Sequence, residues 1–187
     1  MKKSLKGFVV VVLTTFLVMG CVDRKPKQVA DNNDATVEET NNDSTVYGVC
    51  GDGTAMHTLQ VISDAGDTLM YMLNTDGEVI SDVQGGLMVG DRLAIVGVQA
   101  NGERVAQKVI NLTTLLGKWS SLDKNFEIQE GGSVQSFVKA ESNPWTTWKI
   151  LNGKLLLNKD TFSVNTLGAD SLYLENNEGI FAYRRQQ

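Results

Sequence analysis

Residues 148–157 read Trp148-Lys149-Ile150-Leu151-Asn152-Gly153-Lys154-Leu155-Leu156-Leu157. Two apolar-rich runs flank an Asn-Gly pair. A two-residue hairpin turn needs positive φ at both central positions, which Asn and Gly adopt at low cost. The stretch therefore predicts an antiparallel hairpin. Asn101-Gly102 gives the same signal earlier in the chain. Around both pairs the sequence breaks into short runs of alternating or β-rich residues, with turn signals every 8–12 residues or so. Helical periodicity is absent, apart from a short turn expected near residues 79–84. The expectation is an all-β protein made of two small antiparallel barrel-like units.

The first unit, residues 46–113, holds five predicted strands. Val46 to Cys50 stops at Gly51-Asp52-Gly53. Met56 to Ile62 alternates with period two, placing His57, Leu59 and Val61 on one face. Thr68 to Leu73 returns from the turn at Asp64–Asp67. Arg92 to Val98 and Val105 to Leu112 flank Asn101-Gly102. Closing such a set into a small barrel buries one face and limits exposed edges. The Gly-Asp turn within Met88–Val96 resembles OB-type barrels.

The second unit, residues 114–187, opens with Gly117-Lys118-Trp119 and continues as a meander of about eight short strands. A Gly-x-Trp on the first strand resembles the lipocalin family, and the resemblance implies that Trp119 plugs the barrel base. The later series, from Trp148-Lys149-Ile150 through Phe162, Leu172 to Leu174 and Phe181 to Arg185, is similar to short lipocalin-like domains of secreted Bacteroidetes lipoproteins. Eight short strands make a barrel only just wide enough for one small ligand or for side chains alone. An open apolar mouth near Trp119 would favour a ligand, and a filled barrel would argue against one. Trp119, Trp145, Trp148, Phe137 and Tyr183 are the candidate pocket residues. Trp145 and Trp148 are three apart, so on one strand they point to opposite faces.

The N-terminus reads as a targeting segment. Lys2, Lys3 and Lys6 precede an apolar run from Phe8 to Val18, too short for a comfortable membrane span. Leu17-Val18-Met19-Gly20-Cys21 resembles a bacterial lipobox, which implies removal of residues 1–20 and acylation of Cys21. Acyl chains anchor strongly because each buried methylene contributes about 0.8 kcal/mol. Residues 21–45 then form a polar tether with no period and too few apolar residues to offset its ordering. As a flexible coil it reaches roughly 25–30 Å. Some Bacteroidetes-type lipoproteins carry an acidic run after the cysteine that sends them to the cell surface. Here Asp23 is followed by Arg24, Lys25 and Lys27, which favours the periplasmic side of the outer membrane.

Composition narrows the function. The net charge is -5, and the signal segment takes three lysines with it, so the mature chain is more acidic still. Nucleic acid has no electrostatic reason to bind. One histidine and two cysteines exclude most catalytic and zinc inventories. With Cys21 acylated, Cys50 is a lone thiol and no internal disulfide forms. Asp123, Glu127, Glu175 and Glu178 fall in turns or at strand ends and suggest solvated carboxylates, not a glycosidase pair. The reading is a non-enzymatic envelope lipoprotein without cofactor, anchored in the membrane through Cys21, which binds a small apolar ligand or a partner protein. A second reading uses the soft ligands of the first unit. Cys50, Met56, His57, Met70, Met72 and Met88 suit Cu(I) chemistry. The pairing of OB-like and lipocalin-like units also resembles copper-responsive envelope lipoproteins, with the order of the units reversed.

Overall fold

The structure is a computed structural model that describes residues 43–74, 78–139 and 141–186. The signal segment, Cys21 and most of the tether lie outside the described residues. Among the described residues, no helix is long and apolar enough to cross a membrane. The fold is all-β, with a closed five-stranded barrel and a nearly closed eight-stranded one.

The first barrel is built from β1 (Val46–Cys50), β2 (Thr58–Ser63), β3 (Thr68–Met72), β5 (Arg92–Ala100) and β6 (Glu103–Asn111), with β4 (Asp82–Gln84) added outside. The order β3-β2-β1-β5-β6 closes where Met72 meets Val105. That closure is parallel, while the other pairs within the barrel are antiparallel. Alternation sends Leu59, Val61, Tyr71, Leu93, Ile95 and Val109 inward, together with Cys50. Gly97 sits at a bulge in β5, and a Cβ there would lie 2.6 Å from the Tyr71 ring. Its missing side chain is what admits that ring to the core.

Two local expectations change. β2 starts at Thr58, because Met56 and His57 form a turn closed by the Ala55–Thr58 bridge. The segment near residues 79–84 is extended where a helical turn was expected. Ser81 Oγ donates to the Ala106 carbonyl at 2.5 Å, and Lys108 pairs with Asp82. These contacts hold β4 in parallel against β6.

A four-residue helix, α1 (Leu112–Leu115), joins the barrels. Asn111 caps it by accepting from the Thr114 N–H at 2.9 Å. The second barrel follows as β7 (Gly117–Ser120), β8 (Asn125–Ile128), β9 (Val134–Ser136), β10 (Trp148–Leu151), β11 (Lys154–Leu157), β12 (Asp160–Leu167), β13 (Ser171–Asn176) and β14 (Gly179–Arg185). It is an up-and-down meander in which β14 returns to β7. Between β9 and β10 the described residues join through the Ser133–Thr147 bridge and the Val134 N–H donating to Thr146, with no continuous ladder.

Each barrel has its own core, and the outer face of the first packs against the second. Ala94, Ile110 and Leu112 are buried in the same cluster as the interior of the second barrel. Tyr47 donates its hydroxyl to the Ile150 carbonyl at 2.7 Å. Lys108 donates to the Val164 carbonyl at 2.7 Å, where β12 carries a bulge. The Leu167 N–H donates to the Gln84 side chain at 2.9 Å. These partly buried hydrogen bonds tie the two barrels along one seam.

Candidate functional site

Strand direction gives the second barrel two different ends. At one lie α1 and the turns after β8, β10 and β12. There Trp119 is 0% exposed and donates its Nε1–H to the Leu115 carbonyl at 2.9 Å. The Arg185 guanidinium lies 4.2 Å from the Trp119 ring centroid. It donates to the carbonyls of Leu116 (2.8 Å), Ala169 (2.5 Å) and Thr114. Gly117 has φ 122°, and a Cβ there would lie 2.5 Å from the same guanidinium. This is why a glycine must precede the tryptophan by two. Above this plug Phe126, Ile128, Leu155, Leu157, Leu172 and Leu174 fill the interior. Among the described residues no mouth opens near Trp119: this end is packed, which argues against a ligand held there.

The opposite end is open on one side. β7 and β14 pair only at Ser120–Arg184 and Trp119–Arg185. The chain then turns back, with Ser121 N–H donating to the Lys124 carbonyl at 2.7 Å. β14 continues beyond that turn, paired with β13 from Gly179 to Arg184. The wall therefore has a notch beside β14, above the tip at Leu122-Asp123. A cavity of about 1250 Å³ occupies it and reaches inward to Trp145, Phe162, Phe181 and Tyr183. Four edge-to-face aromatic contacts at 5.1–5.9 Å link these rings with Phe126. Fully exposed Leu122, with Ile180 and Tyr173, forms an apolar rim. Asp123, Asn143, Asp160 and Glu178 supply polar groups.

Trp145 is the inner wall of the notch. It is 7% exposed and donates its Nε1–H to Asp160 at 3.1 Å. Lys124 Nζ lies 4.5 Å from its ring centroid and forms an ion pair with Glu141. Burial acts to raise the Glu141 pKa, but hydrogen bonds from Lys124 and Ser136 outweigh it and hold the carboxyl below its usual range. Burial pushes the Tyr183 phenol up to about 12.

Of the five candidate pocket residues, Trp145 and Tyr183 line the cavity. Trp119 is the plug of the far end. Trp148 packs against the core and donates to the Gln129 carbonyl at 2.7 Å. Phe137 is 40% exposed and carries Lys118 over its ring at 5.5 Å. Trp145 and Trp148 do not oppose each other across a strand. The Asn158 side chain accepts from the N–H groups of Thr146 and Thr147, so β10 begins at Trp148 and strand alternation does not run back to Trp145. Both rings join the core cluster. Asp160, Phe162 and Phe181 escape sequence reasoning, although the alternation of Phe162 with Val164, and of Phe181 with Tyr183, already marks them as inward.

The copper candidates divide between inside and outside. Cys50 is 1% exposed within the first barrel, its sulfur 3.4 Å from the Thr54 hydroxyl. Met70 lies on the outer face of β3, out of phase with buried Tyr71, and Met72 shares that face. Met56, Met88 and His57 are exposed. Among the described residues, no three His, Cys, Asp or Glu side chains gather as a metal site. Comparison with protein-family models, curated proteins and solved structures gives no match.

Proposed function

We propose that this chain is a non-catalytic binding module of the bacterial envelope, lipid-anchored through Cys21 on the periplasmic side of the outer membrane. The observation that carries the reading is the notch cavity. Pockets of this type combine an apolar wall with a few polar groups that orient the occupant. Here the wall is Trp145, Phe162, Phe181 and Tyr183, and the polar groups are Asp123, Asn143 and Asp160. The filled interior below limits the occupant to the outer end of the barrel. The sole histidine lies on the other barrel, so no imidazole serves as a base at the cavity.

Two measurements test this. Trp145 fluorescence should shift when apolar reporter dyes are added to the full chain, and Trp145→Phe should remove the shift. No change across a chemically broad dye panel would count against the cavity as a binding site. For the anchor, radiolabelled palmitate should enter the wild-type chain, and Cys21→Ser should abolish labelling and membrane retention. A Cys21→Ser protein that still takes up label would overturn that part.

A further inference from the structure

The notch does more than expose aromatic rings: it leaves part of a β-strand without a neighbour. β14 spans seven residues, of which only Arg184 and Arg185 pair with β7. Arg185 N–H donates to Asp170, toward β13, and Gln186 N–H donates to Lys118, toward β7. Strand backbone groups alternate sides with period two. The N–H and C=O groups of Ile180 and Ala182 therefore point toward the notch, in the direction β7 would occupy if it ran on. The register that pairs Arg184 with Ser120 would place Leu122 opposite Ala182, but the chain has already turned there. Both residues are exposed, Ile180 at 65%.

We propose that this edge binds an extended peptide segment of a partner protein, added as a strand beside Ile180–Ala182 in the place where β7 stops. The inference rests on the notch being a binding site and names its occupant. Free edges are normally blunted by short length, charge or covering segments. This one is flanked by a cavity and carries Ile180 and Ala182 in place of lysine. Strand addition draws affinity from main-chain hydrogen bonds and specificity from pockets that take alternate side chains. The aromatic wall offers such a pocket on the inner face. Charge selects the sequence. The cavity is lined by Asp123, Asp160, Asp170 and Glu178 against Lys124 and Arg184, and Lys124 is already paired with Glu141. The segment that fits alternates apolar with basic residues.

Hydrogen exchange resolved by residue on the full chain tests it, with a seven-residue peptide of alternating lysine and valine as probe. In the free protein the Ile180 and Ala182 amides should exchange freely, while those of Phe181 and Tyr183, bonded to β13, should be slow. Saturating peptide should slow Ile180 and Ala182 at least about tenfold and leave the other two unchanged. The same peptide with every amide N-methylated should have no effect. Proline is tolerated where a strand N–H faces no partner, so Ala182→Pro should fold and lose the peptide.

Ile180 and Ala182 already protected in the free protein would overturn the proposal. So would peptide binding that leaves them unprotected, or a folded Ala182→Pro chain with undiminished affinity. Protection that grows with protein concentration alone would replace the foreign partner with a second copy. Dye binding without peptide binding would sink the strand addition and spare the cavity. Failure of both would sink the cavity as well.

Discussion

The two ends of the second barrel solve the same problem with different chemistry. Each presents a tryptophan with a cation over its face, Arg185 at 4.2 Å from Trp119 and Lys124 at 4.5 Å from Trp145. Each indole N–H has an acceptor, the Leu115 carbonyl in one case and the Asp160 carboxylate in the other. The partners at the Trp119 end are backbone carbonyls, fixed by the chain itself. Those at the Trp145 end are side chains, Asp160 at the start of β12 and Lys124 in a turn, the latter ion-paired with Glu141. Backbone partners make a permanent plug. Side-chain partners can be rearranged by an occupant or by pH, and that is the end that carries the cavity.

Truncating each tryptophan gives the sharpest comparison. Trp119→Ala removes a ring with no exposed surface and should cost about 3–5 kcal/mol in urea unfolding, enough to threaten folding. Trp145 already borders an open cavity, so in Trp145→Ala its neighbours lose fewer contacts. A cost of about 2 kcal/mol is expected, with loss of dye capture. Equal costs at the two sites would erase the distinction between plug and wall.

The cations separate next. Arg185→Ala leaves three carbonyls without their donor and should cost about 2–3 kcal/mol. Lys124 is partly exposed and bound to a single carboxylate. Lys124→Ala should cost about 0.5–1 kcal/mol while changing the emission of Trp145. A larger loss at Lys124 than at Arg185 would reverse the assignment of rigid and adjustable ends.

The two ends were not equally legible in the sequence. Gly117-Lys118-Trp119 marked the plug because a close approach and a large ring leave a local signature. The Asn-Gly hairpins were equally local, and Asn101 and Asn152 have the positive φ expected of them. The notch was not legible. It depends on how far β14 outruns β7, a register between segments more than 50 residues apart. The facing of Trp145 relative to Trp148 was not legible for a related reason. Alternation assumes an unbroken strand, and Asn158, itself at φ 54° without a following glycine, takes the N–H groups of Thr146 and Thr147 on its side chain, so β10 does not run back to Trp145. The first barrel shows the same limit, since the parallel contact of Met72 with Val105 and the pairing of β4 are both non-local.

The smallest expected effect is also the most specific. Glu141 is held below its usual range in the folded chain, so the unfolded chain binds its proton more readily. Its contribution is complete above the unfolded value, near 4.5, and is lost as pH falls through the lower folded value. Acidification through that window should protonate Glu141, release Lys124 from the ion pair and change Trp145 emission before global unfolding. Trp119 should not respond, because neither Leu115 nor Arg185 changes charge there. A Glu141→Gln chain should lose the acid step and keep the rest of the emission profile. If the step instead survives Glu141→Gln, or is removed by Trp119→Phe and not by Trp145→Phe, then the adjustable end of the barrel is not the one lined by Lys124 and Glu141.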